Sequence, residues 1–444
     1  MLRTIAFIVI MTVGVGAGVY SRFAALLLYL WFALFRPQEW LWVDIAQLRL
    51  SLVLGLLLVV PALLSGILPN ITHPLCIGSL AFLASGLLAQ PGAVNPAMGW
   101  QWLDFLARLI LVCLLLVKMT NTKRRFVLAV AVIAGSFGYH PAKAGLASLL
   151  SGGVQFYAGL GGAFSDNNGY ALGTVMIMPL LLGAAQNLSK HGLFERWVRL
   201  AFFASVPLSA YTVVSLFSRG GFLALAAACL TWVVLQRRRF LSVSAFVLVI
   251  AAVLLVVPLR QGYTQRLETI RIYNDVQDRS ALGRLHFWAV AMEMAKQHPL
   301  GIGVWNYQSA YDSYDWSAGE YGRARSVHSS HFQVLAEMGL PGTIIWVGMF
   351  ALAFRIAWRT KKSAFKSQLG EADRHFLFTM SNALIASMVA FLIGGSFVAL
   401  ALNDLTWLTF GLLAALDRLS VRLLAGEATE GGEVEPPATA LAKA

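Results

Sequence analysis

Two arginines and a histidine stand out. Arg219 lies where an apolar block begins, a place where a charge is costly and is kept for a role; Arg284 lies in a polar segment, and His328 where that segment returns to an apolar block. Arg219 falls in Ser218-Arg-Gly-Gly221, directly ahead of the apolar run to Leu235. The two glycines remove side-chain bulk around it. The N–H groups opening the following helix point the same way, so an anion would meet a guanidinium and a positive helix end together. An interfacial arginine reaching lipid headgroups fits the same residues equally well. Arg284 lies in Gly283-Arg-Leu-His-Phe-Trp288, with Arg266, Arg271 and Arg279 upstream. Forked, permanently charged guanidiniums suit bidentate contacts to a pyrophosphate; headgroup contact is the plainer reading of this group. His328 and His331 bracket Ser329-Ser330, and imidazole is the side chain best placed to accept a proton near neutral pH. The pair could instead bind a metal or cap the next helix, but no Asp/Glu set accompanies it. The sequence has no Gly-x-x-x-x-Gly-Lys loop, no His-Glu-x-x-His and no Asp-x-Asp, so phosphate charge would have to be neutralised by arginines.

The elements that must hold these residues are membrane helices. Of 444 residues, 58% are apolar and 12% charged, about half the charged share of a soluble domain, and the mean hydropathy is +0.70. The apolar residues form uniform blocks near the roughly 20 residues that a bilayer requires, without the alternation of barrel strands. The expected fold is all-α and polytopic. Cys76, Cys113 and Cys229 lie within apolar blocks and read as small hydrophobes rather than a disulfide framework. The block Ile5 to Tyr20 reads as a retained anchor, because a second block follows without a convincing cleavage site.

The net charge of +13 is not a nucleic-acid footprint. Basic residues cluster in short loops around Lys118 to Arg125, Lys190 to Arg199, Arg237 to Arg239 and Arg355 to Arg374, as expected of cytoplasmic loops. These loops put Leu241 to Val257 on an outward path and the segment from about Arg260 to Gln333 outside. Arg219, Asp166, Asn167 and Asn168 then fall on the external side as well. About thirteen apolar blocks occur, among them the short Phe23 to Phe35 and Cys76 to Ala89. Thirteen crossings would leave Arg3 outside, so about twelve spans with both termini inside are expected. The expected organisation is an N-terminal bundle (1–259), an external segment (260–332), C-terminal membrane helices (333–417) and a largely disordered tail (418–444). In the external segment Leu282, Leu285, Trp288, Met292 and Ala295 recur at helical spacing after a possible cap at Ser280, predicting an amphipathic helix that lies on the bilayer or lids a cavity. The tract Trp305 to Ser326 is rich in Tyr, Trp, Ser and Asp, which suits sugar stacking and is also ordinary for a loop or interface.

With these motifs in order, the chain resembles the O-antigen ligase family, including related O-glycosylation ligases. Its Arg-x-x-x-Leu motif is met by Arg219-Gly-Gly-Phe-Leu223, its loop arginine by Arg284, and its histidine motif by His328-Ser329 followed by Gly339-Leu-Pro-Gly342. Gly162-Ala-Phe-Ser-Asp-Asn-Asn168 is similar to its Asp/Asn signature. The spacing selects His328 rather than His331.

The resemblance implies a GT-C-like membrane fold and an inverting, metal-independent glycosyltransferase of the bacterial inner membrane, with its site on the periplasmic side and no cofactor. The donor would be a glycan on undecaprenyl pyrophosphate and the acceptor lipid A–core. It implies His328 as catalytic base and Arg219 and Arg284 as pyrophosphate ligands, with His331, Asp166, Asn168 and Arg266 as supporting candidates. An O-antigen polymerase or a protein O-oligosaccharyltransferase would share these motifs and differ in acceptor. A transporter or flippase could have a similar number of spans, but transporters tend to show internal repeats and midplane polar sites, and here the polar candidates gather at the external boundary.

Overall fold

The computed structural model describes residues 2–151, 159–189, 192–237, 279–366 and 369–426. The expected span Leu241 to Val257, Arg266, Arg271 and the tail from 427 onward lie outside them, as does the boundary placed near residue 260. Among the described residues the structure is helical and contains no strand. The helices are α1 (Leu2–Tyr20), α2 (Arg22–Phe35), α3 (Leu50–Leu64), α4 (Pro74–Ala89), α5 (Pro96–Met119), α6 (Lys123–Leu150), α7 (Asn167–Asn187), α8 (Leu193–Ser215), α9 (Arg219–Leu235), α10 (Arg279–Gln297), α11 (Tyr307–Tyr314), α12 (Ser330–Ser363), α13 (Glu371–Gly394) and α14 (Asp404–Leu424). Among the described residues, seven apolar stretches, matching α1, α4, α6, α7, α8, α12 and α13, are long enough to cross a bilayer. This is a multi-pass membrane protein. The block read as short at Cys76 to Ala89 is extended by Pro74 and the turn to Gly92 into one of these seven; α2, with 14 residues, stays short.

Helices that are apolar all round belong in the centre of such a bundle. α7 and α13 fit this, with 89% and 83% of their apolar windows buried, whereas 22% of that of α8 is buried. Phe82, Trp346, Phe350, Phe391, Trp407 and Phe410 interlock α4, α12, α13 and α14 through ring contacts of 5.0–6.3 Å.

The four basic loops collect at one end. Lys123 pairs with Asp373 at 3.1 Å, Arg359 with Asp417 at 2.7 Å, and Lys361 Nζ donates to the Leu235 carbonyl at 2.9 Å. Arg237 lies over Phe365 and Phe378, and Asn187, ahead of the Arg196 loop, donates to Thr379 at 2.7 Å. One expectation is overturned here. Arg3 lies over the rings of Trp40 and Trp42, at 5.2 and 5.4 Å, just past the C-terminus of α2. Nearby, Arg36 donates to the Gly161 carbonyl and pairs with Asp404 at 3.3 Å. That is the end opposite the basic loops, whereas α14 runs to the basic end through Asp417. The start of α1 therefore lies at the end opposite the basic loops, not on the cytoplasmic side expected for Arg3. A single arginine held over two indole faces does not obey a rule that counts many loop charges.

The predicted amphipathic helix exists as α10, but it starts at Arg279 rather than after Ser280, and its packed face differs. Phe287, Val290, Ala291 and Met294 are buried against Tyr307, Ala310, Tyr311 and Val327 in a small second core. Leu282, Leu285 and Met292 are exposed. Of the residues named from spacing, those three face outward, whereas Ala295 is buried and Trp288 packs against the small core.

Candidate active site

The end of the bundle opposite the basic loops gathers the polar candidates. Asp166 caps α7, accepting from the N–H groups of Asn168 and Gly169 at 2.9 and 3.1 Å, and so satisfies donors that would otherwise stay unpaired at a helix start. Ser218 caps α9 through the Gly221 N–H at 3.0 Å, and its hydroxyl donates to Asn168 Oδ1 at 2.7 Å. Asn167 donates to the Leu216 carbonyl at 3.2 Å. The Asp-Asn-Asn signature and the start of α9 are therefore knitted together. Gly221 permits this approach, since a Cβ there would stand 2.5 Å from that of Ala171. Arg219 is the first residue of α9 and is exposed.

The loop after α13 ties these helices to α10 and α12. Gly220 packs on the Phe397 ring, and the Arg284 guanidinium lies over that same ring at 5.9 Å. Ser330 donates to the Val398 carbonyl at 2.7 Å and accepts from the Leu400 N–H at 3.0 Å, while the Ser330 N–H donates to the Gly395 carbonyl. The Gly-x-x-Gly following the histidine has a comparable structural reason. Gly339 is non-helical inside α12, with φ +63°. A side chain there would collide with the backbone of Pro299 to Gly301, whose carbonyl at Pro299 accepts from the Leu340 N–H at 2.8 Å. Buried Glu337 then holds the returning strap, accepting from the N–H groups of Trp305 and Tyr307 and from Gln333.

The strap delivers His328, half-buried and in the left-handed backbone region at φ +49°. Its ring lies 5.9 Å from that of Phe287. Burial lowers its pKa below the usual histidine value; the positive charges of Arg284 and Arg325 lower it further, and Asp166 opposes them. At neutral pH the ring is therefore neutral and able to accept a proton. His331 is different. The Trp346 indole donates to its Nδ1 at 3.2 Å, which leaves Nε2 to carry the proton and donate to the Leu392 carbonyl at 3.1 Å. The helix cap between the two is Ser329, not a histidine. Among the described residues no group of three or more His, Cys, Asp or Glu is placed to hold a metal.

Four of the sequence candidates, Arg284, His328, Asp166 and Asn168, thus share one rim with Arg219 beside it, and His331 turns away into the bundle. Sequence reasoning missed Arg325. It also missed a nearly buried pair, His286 and Asp315, 2.8 Å apart. Asp315 is held down to about 2: burial pushes its pKa up, but hydrogen bonds from the Ser317 hydroxyl and N–H, His286 and the Gly319 N–H outweigh that. The signal for it was legible as Asp315-x-Ser-x-Gly319, an Asx-turn pattern. His286 stacks on Tyr321 and meets Trp316 edge-on, so the aromatic tract is built around this pair.

A family model described as O-antigen ligase matches residues 203–347, the stretch that holds Arg219, Arg284, His328, Gly339 and Gly342. Over that stretch the chain is similar to the O-antigen ligase family. A second model, a family of unknown function, matches residues 2–184 and so takes in Asp166 and Asn168. No curated protein matches the chain. That match supports a glycosyltransferase of the ligase and polymerase type, with lipid-linked glycans as the implied substrates.

Proposed function

We propose that this protein transfers O-antigen glycan from undecaprenyl pyrophosphate to lipid A–core at the periplasmic face of the bacterial inner membrane. The observation that carries the reading is His328, held neutral beside Arg284 and Arg325 at the end of the bundle opposite the basic loops. Positive loops face the cytoplasm, which assigns the other end to the periplasm. The polyprenyl tail stays among the membrane helices and lipids, and the aromatic strap faces the sugars.

The reaction is a metal-independent displacement with inversion. His328 accepts the proton of an acceptor sugar hydroxyl as its oxygen bonds to the anomeric carbon of the donor. The bond from that carbon to the pyrophosphate oxygen breaks on the opposite face, and its electron pair leaves with the pyrophosphate. Arg219, at the positive start of α9, and Arg284 stabilise the charge growing there. Asp166 and Asn168 position the start of α9 through Ser218, and His331 anchors the first turn of α12.

The test is transfer by purified protein from purified lipid-linked glycan in the presence of EDTA, with lipid A–core, a second lipid-linked glycan and a protein as alternative acceptors. Product on lipid A–core that survives the chelator is expected. Full turnover by His328→Ala would sink the catalytic assignment, and product on either other acceptor alone would replace the ligase reading.

A further inference from the structure

We propose that Arg325 is a third cationic ligand for the donor's pyrophosphate, supplied by the strap rather than by a helix. The inference rests on the roles given above to His328, Arg219 and Arg284, and adds a residue to them. Two anchors fix the backbone around it. The Ala324 N–H donates to Asp312 Oδ1 at 2.7 Å, and Val327 is buried in the small core beneath α10. Between these anchors Arg325 is exposed, with its guanidinium carbon 5.6 Å from the centre of the Phe287 ring. His328 is another neighbour of that ring, at 5.9 Å.

Phe287 follows Arg284 by three residues on α10, so the two share a face of the helix. Arg284 and Arg325 therefore flank the same Phe287–His328 patch from two elements. Both cations act on His328 from there, against Asp166 from the start of α7. The strap reaches this geometry through left-handed positions at Gly322, Ala324 and His328. Arg323 is also exposed, but among the described residues it makes no such ring contact.

Two guanidiniums beside one half-buried imidazole offer a multiply charged anion several hydrogen-bond donors at once. The chemistry that fits is a multiply charged phosphate presenting several acceptor oxygens. Such oxygens are offered by the donor's pyrophosphate or by phosphates on an acceptor lipid. Because Arg325 shares its patch with Arg284 and the proton acceptor, the donor is the assignment. The stack on Phe287 holds the guanidinium in place before the anion arrives.

The experiment is steady-state transfer by full-length Arg325→Ala, Arg325→Gln and Arg325→Lys, varying donor and acceptor separately. Arg325→Ala and Arg325→Gln should raise the donor KM about fivefold, as expected for one partly screened charge-assisted contact. The acceptor KM should stay unchanged and Arg325→Lys should recover part of the loss. The defect should shrink as salt is added. The acid limb of the pH profile should move to higher pH in the Ala and Gln variants, because a charge opposing protonation of His328 is gone. Unchanged donor KM in all three variants overturns the proposal. A rise in acceptor KM alone also overturns it and gives Arg325 to an acceptor phosphate. His328→Ala and Arg284→Ala run in parallel separate the two levels: if they are inactive while Arg325→Ala is wild type, only this inference fails, and if they turn over normally the functional reading fails first.

Discussion

Two stretches that meet at Ser329 use the same side chain for opposite purposes. The strap that ends at His328 delivers its imidazole in a left-handed conformation into a rim where two positive charges oppose its protonation. The first turn of α12, three residues on, takes His331 inward and engages both its ring nitrogens, one with the Trp346 indole and one with the Leu392 carbonyl. What distinguishes the histidine proposed as catalytic from the structural one is not residue type or even neighbourhood. A helix holds its first turn by packing, so His331 is surrounded by α13 and the aromatic cluster. A strained strap end can hold a side chain out of that packing. Non-glycine residues at positive φ persist where the surroundings over-determine them, and the bonds of Ser330 to the 395–400 loop do this for His328.

The hardest test of the contrast is deletion of each ring. His328→Ala should lower kcat by about a hundredfold or more, the usual scale for losing a positioned general base, with the amount of folded protein unchanged. An equal loss in His331→Ala, corrected for folded protein, would break the comparison. Next come the arginines. Arg219→Ala and Arg284→Ala should each cost on the order of a hundredfold in kcat, the scale for removing one donor to a developing anion. Arg→Lys should restore part of this, because it keeps the charge and loses the fork. If both Ala variants raised only the donor KM, they would serve binding and not the leaving-group charge.

Smaller still, and read in stability rather than rate, is His331→Ala. It leaves the Trp346 Nε1–H without its present acceptor inside the bundle, while the Leu392 carbonyl keeps only the Ser396 hydroxyl. A buried polar group so stranded costs about 1–3 kcal/mol. A lowered unfolding temperature in detergent, with turnover per folded molecule within a few-fold of wild type, is the expected result. Wild-type thermal stability would mean that those two contacts are dispensable.

Much of this was legible in residue order. Uniform apolar blocks gave the helical class, since a membrane helix needs apolar residues all round. The basic loops gave the common end, because each is a local charge cluster. Arg219 and His328 declared themselves as polar residues at block edges, and Arg284 through the motif it matches. What was not legible depended on contacts between distant segments. Arg3 looked like a cytoplasmic residue until Trp40 and Trp42 were found beneath it. The spacing of α10 picks out exposed and buried residues alike, and which are buried is decided by Tyr307, Tyr311 and Val327, which lie far along the chain. Arg325 had no signal, because its meaning comes from Phe287. The family's glycine spacing was visible, whereas its reason, the passage of Pro299 to Gly301 against Gly339, was not.

The finest test uses Asp166, the anion among the described residues that acts on the histidine of the strap. Asp166 raises the His328 pKa, while burial, Arg284 and Arg325 lower it. The neutral ring is the active form, so the rate should fall as pH falls through that pKa. Asp166→Asn removes the opposing charge and keeps a good helix cap, so the N–H groups of Asn168 and Gly169 retain an acceptor. The His328 pKa should then drop further and the acid limb should move to lower pH. Arg284→Gln should move it the other way in whatever activity remains. The change is small beside the losses above, but its sign is diagnostic. A structural role for Asp166 alone predicts no movement of the limb, and a shift to higher pH would mean that the titrating base is not His328.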